Sequence, residues 1–257
     1  MGAQLKKVRK LLTATDIKQI TIEGQEADDV IASISKKVKA HAKVFCLTCD
    51  HDYYQALDDN VCVVNRMRGE ETVITKESFT DKYGITPDQW VDAGALSGDS
   101  SDCIIGVPGC GETKALEYIS KYTDTETLIA AMEEKFDAIR VVYPDLETQL
   151  EIDNMMELNG KRGKSPNFEG CYAGMPFSGV AKALGDKDVK KIKKIELKFA
   201  MYQERIRLAR KLKQMNFDIP LPKMRMSKTY DERAFCAMCE EMELKNLIMK
   251  SEVLKIW

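Results

Sequence analysis

Three groups of acids carry the residue types best suited to chemistry: Glu26, Asp28 and Asp29; Asp50 and Asp52; Asp99 and Asp102. Glu26 and Asp29, three apart, share one helical face. Asp50 and Asp52 follow the apolar run KVFCLTC, and residues two apart in extended chain point the same way. Ligand sites in open α/β sheets lie beyond the carboxyl ends of the strands, where this pair is expected. Asp99 and Asp102 stand in the turn before a glycine-rich stretch. Gathered on one rim, seven such carboxylates repel unless cations sit among them. Mg²⁺ prefers oxygen ligands and takes one or two carboxylates with water and phosphate, and Mn²⁺ is able to substitute. Two ions roughly 3.5–4 Å apart suit an in-line displacement at phosphorus.

Each group also has a plainer reading. Acids in a first helical turn complement the dipole, Asp50 and Asp52 are good turn formers, and Asp99 could cap a helix. Asp58 and Asp59 read as loop surface, and His51 as exposed or phosphate-facing. No pattern pairs a Ser or Cys nucleophile with a histidine base.

The stretch GVPGCG, Gly106–Gly111, is followed by Lys114 and Ala115. Glycines permit a tight turn whose N–H groups can approach a phosphate. A helix starting there adds positive potential. Gly106, Gly109, Gly111 and Lys114 are therefore candidate contacts to a nucleic-acid backbone, with Ala115 allowing close helix packing. Such a grip reads no bases and weakens with salt. The alternative is a plain turn between two helices.

Composition sets bounds on these readings. The 257 residues allow one large domain or two modest ones. The apolar share is 44% and the charged share 31%, ordinary for a soluble globular chain. No apolar run reaches the ~18 residues of a membrane span, and the N-terminal segment is too short in its apolar part for a secretory signal. A cytoplasmic protein is expected. Cys46 with Cys49 and Cys236 with Cys239 have CxxC spacing, which can bind zinc. On a strand, i and i+3 point to opposite faces, so buried thiols are the preferred reading. The net charge of −2 hides an uneven distribution. Over residues 182–228 there are roughly three bases for every acid, a balance that suits a polyanion.

The elements that must position these residues follow from periodicity. Residues 5–12 read as helix and 18–23 (KQITIE) as a short strand. Ala27, Val30, Ile31, Ile34 and Val38 trace one helical face. Residues 43–49 read as a buried strand, and 61–65 and 72–75 as two more. Strands alternating with helices predict an α/β layer with a largely parallel sheet. Beyond residue 75 the pattern is helical, with a glycine turn and amphipathic helix over 104–119, helix over 124–157, a Gly/Pro/Lys/Ser-rich loop over 159–180, a long basic helix over 186–215, a break at IPLP and a last helix over 231–247.

The order EGQEADDVIA, LTCDHDYYQAL, LSGDSSDCIIGVPGCGETKA resembles the 5′–3′ exonuclease and flap-endonuclease family, which includes the N-terminal domain of bacterial DNA polymerase I and phage 5′-exonucleases. The closing segment, through IPLPK to EEMELKNLI, is similar to that family's. The resemblance spans most of the chain except about residues 145–200, which read as an insertion. It implies a PIN-like α/β nuclease core over 1–97 and a helical region over 98–257 with a helix-three-turn-helix DNA clamp that also binds K⁺. By the same resemblance, Glu26, Asp28 and Asp29 match the EADD ligands, Asp50 and Asp52 the second-metal pair, Asp99 and Asp102 the GDxSD acids, and Gly109 and Gly111 the hairpin glycines. Implied partners are 5′ ends, flaps and duplex backbone of DNA, and RNA–DNA hybrids.

The family pattern opens with a strand bearing an Asp and a helical arch with a Lys and an Arg, which this sequence does not contain. A sheet lacking that strand exposes an edge that invites pairing, so a second polypeptide completing the site, or a truncated product, is expected. The leading function is Mg²⁺-dependent, structure-specific 5′-nuclease activity on DNA. Its rivals are a DNA-binding module without chemistry and a PIN-type ribonuclease, the last disfavoured by the helical hairpin.

Overall fold

The structure is a computed structural model and describes residues 2–13, 17–67, 70–140, 194–223, 232–242 and 244. Chain contacts divide it into two compact units, Met1–Val30 with Asp218–Trp257, and Ile31–Phe217. In the smaller unit, α1 (Gly2–Leu12) meets α9 (Glu232–Glu241). Lys10 Nζ lies 3.1 Å from Glu241 there, an exposed pair of small energetic weight.

Residues 17–25 form irregular chain and a turn, not the strand expected at 18–23. Their β-branched composition suits a strand, but a strand exists only where a neighbour takes its backbone groups. The helix expected from the acidic motif is present as α2 (Ala27–Val38). Its buried positions are Val30, Ala32, Ser33 and Ser35, while Ile31 is 41% exposed. The apolar spacing thus located the helix but misassigned part of its face.

The larger unit holds a three-stranded sheet in the order β1 (Val44–Leu47), β2 (Val61–Met67), β3 (Glu70–Ile74). β1 runs parallel to β2 with Val44 opposite Val61, and β3 returns antiparallel with Val63 opposite Ile74. The sheet is therefore mixed rather than largely parallel, because two residues between β2 and β3 are too few for a parallel crossover. Cys46, Val61 and Val63 face the core; Phe45 and Leu47 on β1 are 56% and 70% exposed. The strand expected to be buried is half-buried and lies at the edge.

A 3-10 helix, His51–Ala56, fills the crossover from β1 to β2. Tyr54 anchors it among Phe79, Tyr83 and Trp90, with ring centroids 5.4–5.9 Å away. Phe79 and Tyr83 belong to α3 (Lys76–Tyr83), capped by a Thr75–Ser78 box and stopped by Gly84 at φ 68. Trp90 opens α4 (Trp90–Ser97), whose residues are almost all buried.

Against α4 pack α5 (Glu112–Tyr122), α6 (Thr125–Arg140) and α8 (Gln203–Lys213), while α7 (Lys194–Met201) packs on α6 and α8. The long basic helix expected over 186–215 is broken at Tyr202 within the described residues. Residues 141–193, which include the expected loop and insertion, lie outside the described residues. No described helix is long and apolar enough to cross a membrane.

One buried acid joins three of these helices. Asp92 of α4 accepts from Thr125 N (3.1 Å) and Thr125 Oγ1 (2.7 Å) at the start of α6. It also accepts from Arg210 Nε of α8 at 2.8 Å. Removing Asp92 leaves the buried Thr125 N–H and hydroxyl without their acceptor, whereas Arg210, 39% exposed, can turn to water. Asp92→Ala is expected to destabilise the protein by about 2 kcal/mol in urea unfolding, and adding Arg210→Ala to change that loss little. A change near zero for the single variant contradicts this account.

Candidate metal centre

The path to the site begins with Thr48, whose hydroxyl accepts from Asp50 N at 3.0 Å. Asp50 then caps the 3-10 helix, its Oδ1 accepting from Asp52 N at 2.9 Å. The extended geometry expected for Asp50 and Asp52 is replaced by this capped turn. Asp52 sits in the helix, and Asp50 commits one oxygen to the backbone. His51 is exposed and stacks on Tyr54 at 5.0 Å.

Asp99 follows the end of α4, where Gly98 turns the chain at φ 74. Asp99 and Ile104 exchange two backbone hydrogen bonds of 2.8 Å, closing a small loop that carries Ser101 and Asp102. Gly98 and Gly106 touch backbone to backbone, since a Cβ on either would lie 2.4 Å from the other's nitrogen. Only glycine allows such an approach. Ser101 N donates to Asp99 Oδ1 at 2.9 Å, and the Ser101 hydroxyl donates to the same oxygen.

These two elements bring Asp52, Asp99 and Asp102 together, one carboxylate oxygen of each lying within 4.8 Å of the others. Asp52 and Asp99 are partly buried and Asp102 is exposed. Lys213, at the end of α8, enters the same cluster. Its Nζ lies 2.9 Å from Asp52 Oδ1 and 2.9 Å from Asp99 Oδ2, with only 4% of its side chain exposed. Gly94 makes room for its stem: a Cβ there would lie 2.6 Å from Lys213 Cε. Gln55 fixes the backbone, its Nε2 donating to Lys213 O at 2.9 Å and its Oε1 accepting from Met215 N at 3.2 Å.

The charges in the cluster are unequal. Hydrogen bonds from Ser101, then from Lys213, hold the Asp99 carboxyl far below the usual range. Burial pushes Asp52 up and outweighs the Lys213 ammonium, with Asp50 and Asp99 adding to the rise. Burial also opposes the charge on Lys213, but its bonds to Asp99 and Asp52 prevail and raise its pKa. Three carboxylates facing one ammonium leave negative charge over. The donors are hard oxygens and close together, so the set fits a divalent cation such as Mg²⁺ or Mn²⁺.

Glu26, Asp28 and Asp29 head α2 in the smaller unit. The helical ladder begins with Val30 N donating to Glu26 O at 3.2 Å. Glu26 and Asp28 are exposed and Asp29 is half-buried. The CxxC cysteines are free thiols: Cys46 and Cys239 are buried, Cys49 is exposed and Cys236 half-buried.

Sequence reasoning missed Lys213, treating it as one more base in a basic helix. A signal was present. Ile206, Ala209 and Lys213 lie at i, i+3 and i+7, and all three are buried on α8. A lysine on an apolar stripe needs an acidic partner.

The glycine hairpin adjoins the acid loop. Val107 N donates to Leu96 O at 2.8 Å and Cys110 N to Val107 O at 2.9 Å. Gly109 has φ 80, the left-handed conformation its turn requires. Gly111 precedes α5 and supplies no side-chain cap, so the first N–H groups of α5 are left to other partners. Ala115 is fully buried. Lys114 Nζ donates to Gly109 O and Lys198 Nζ to Pro108 O, each at 3.0 Å.

Comparison with known proteins gives this arrangement its context. Residues 1–84 match the family model "5'-3' exonuclease, N-terminal resolvase-like domain", and residues 85–157 match "5'-3' exonuclease, C-terminal SAM fold". The thermostable DNA polymerase I of Thermus thermophilus is 34% identical over 181 residues, 66% of this chain and 21% of that protein. The chain thus spans about a fifth of the length of that relative. Bacteriophage T5 5′-exonuclease with bound divalent metal ions (zinc) superposes with a TM-score of 0.55 at 15% identity, covering 93% of this chain and 66% of that one. A substituted form of the bacteriophage T5 flap endonuclease, in a pseudo-enzyme-product complex with DNA and metal ions, gives 0.52 at 16% identity, covering 96% and 66%. The PIN-like resolvase core and the helical SAM-like region are those of these nucleases. Matched by both models of one enzyme family, the chain belongs to the 5′–3′ exonuclease family of nucleases.

Proposed function

We propose that the chain is a structure-specific 5′–3′ exonuclease and flap endonuclease, hydrolysing DNA phosphodiesters with Mg²⁺ in replication or repair. The observation that carries this reading is the convergence of Asp52, Asp99 and Asp102 within 4.8 Å, beside a glycine hairpin that opens a helix. A bound divalent ion supplies water activation and neutralisation of phosphate charge. Asp52, Asp99 and Asp102 hold one such ion in this reading. Glu26, Asp28 and Asp29 in the smaller unit, and Asp50 beside Asp52 in the larger one, are proposed as further ligands, direct or through water, with Mn²⁺ able to replace Mg²⁺. The division at 1–97 and 98–257 belongs to the same proposal, as does action in the cytoplasm, where DNA is accessible.

Gly106, Gly109, Gly111 and Lys114 serve the grip on DNA 5′ ends, flaps and duplex backbone, with RNA–DNA hybrids as further substrates. K⁺ at the hairpin belongs to the same proposal; two of the hairpin carbonyls, Pro108 O and Gly109 O, already accept from Lys198 and Lys114. A further strand completing the sheet, from another polypeptide or from more of the same chain, fits the exposed edge of β1.

The test is cleavage of a 5′-flap DNA duplex by the full chain. Asp99→Asn and Asp102→Asn are each expected to lower the Mg²⁺-dependent rate by about 100-fold or more while duplex binding persists. Lys114→Ala is expected to weaken binding modestly on every sequence and to reduce the slope of log affinity against log salt by about 1. One observation favours a second reading, a DNA-binding module without chemistry: a lysine already occupies the acid cluster. Firm binding with no cleavage in Mg²⁺ or Mn²⁺ selects that reading and rejects the first.

A further inference from the structure

The oxygens best placed for a divalent ion already hold a cation. Asp52 Oδ1 and Asp99 Oδ2 are each 2.9 Å from Lys213 Nζ. We propose that Lys213 is a resident counter-ion of the acid cluster, which must give up these oxygens when a divalent ion binds. The inference rests on the metal-centre reading above and adds a positioning residue to it.

Three independent features place Lys213 there. Its stem passes α4 at Gly94, where any Cβ would collide with it, 2.6 Å from Cε and 2.9 Å from Cδ. Glycine inside a helix is unfavourable relative to alanine, so this one carries a packing purpose. The Gln55 side-chain amide bonds the backbone on both sides of the end of α8, at Lys213 O and Met215 N. Gln55 lies on the 3-10 helix that carries Asp52, so that short helix holds both the acid and the backbone of its lysine. Finally, α8 buries Lys213 on the same stripe as Ile206 and Ala209, so the ammonium has little freedom to turn to solvent.

The electrostatic role follows. Without a divalent ion, Asp52, Asp99 and Asp102 repel one another, and a fixed ammonium offsets that repulsion. With the ion, the same oxygens are needed as ligands, and two cations so close oppose each other. Lys213 therefore stabilises the metal-free protein and weakens its hold on metal. An ion is retained best when substrate phosphate adds negative charge to the site.

The test is Mn²⁺ binding by the full chain, read as free Mn²⁺ by electron paramagnetic resonance, together with thermal unfolding in chelator and in Mn²⁺. Lys213→Met is expected to bind Mn²⁺ about tenfold or more tightly, within the usual range of coupling between competing ligands. It is also expected to unfold at a lower temperature in chelator and to show a larger Mn²⁺-induced rise than the parent. Gly94→Ala displaces the lysine stem without removing a charge or touching an acid. It should tighten Mn²⁺ binding in the same direction, and it carries the test where Lys213→Met does not fold. Uptake by the parent with unchanged or weaker binding in the variants overturns the counter-ion role alone. No uptake by parent or variants at millimolar Mn²⁺ overturns the metal-centre reading and this inference with it.

Discussion

The larger unit is organised around a charge problem. Three carboxylates drawn from two separate segments lie within a few ångströms of one another, and like charges so close are stable only with a cation among them. The ammonium of Lys213 meets that demand from a third segment. Much of the surrounding architecture serves this meeting. The aromatic cluster around Tyr54 fixes the helix that bears Asp52. The Asp92–Arg210 pair and the Asp92–Thr125 bonds tie α8 and α6 to α4, and α4 delivers Asp99 at its end.

The two acids that share the lysine are not equivalent. Asp99 is supported by Ser101 as well as by Lys213 and is held firmly as the anion. Asp52 is more enclosed, and burial drives it the other way. The cluster thus pairs one committed anion with one reluctant one. The second gains most from a nearby positive charge, because that charge offsets its desolvation.

Much of this was legible in the sequence, for identifiable reasons. Asp52, Asp99 and Asp102 stood out because acids clustered after an apolar run or before a glycine turn lie where ligand sites of α/β sheets are expected. α1, α2, β2, β3 and α5 followed from period and punctuation. The run at residues 18–23 misled because β-propensity records a fit to neighbours that the run itself cannot supply. Ile31 misled because a helical face inferred from residue type alone does not say which side the sheet will take. The capped turn at Asp50 follows the plainer of the two readings, since aspartate favours turns and caps over extended chain. Lys213 was hidden by its basic neighbours, although its spacing from Ile206 and Ala209 marked it as an inward residue.

The contact between Gly98 and Gly106 has a consequence for length scale. With no side chain between them, the turn that bears Asp99 and the loop that leads into α5 are held at backbone-to-backbone distance, and neither can slide without breaking the 2.8 Å bond from Val107 N to Leu96 O. The two parts behave as a ruler with a fixed graduation. Under the proposed function, a strand seated at the hairpin would meet the acids at one constant offset, set by the covalent chain and not by the sequence of whatever is held.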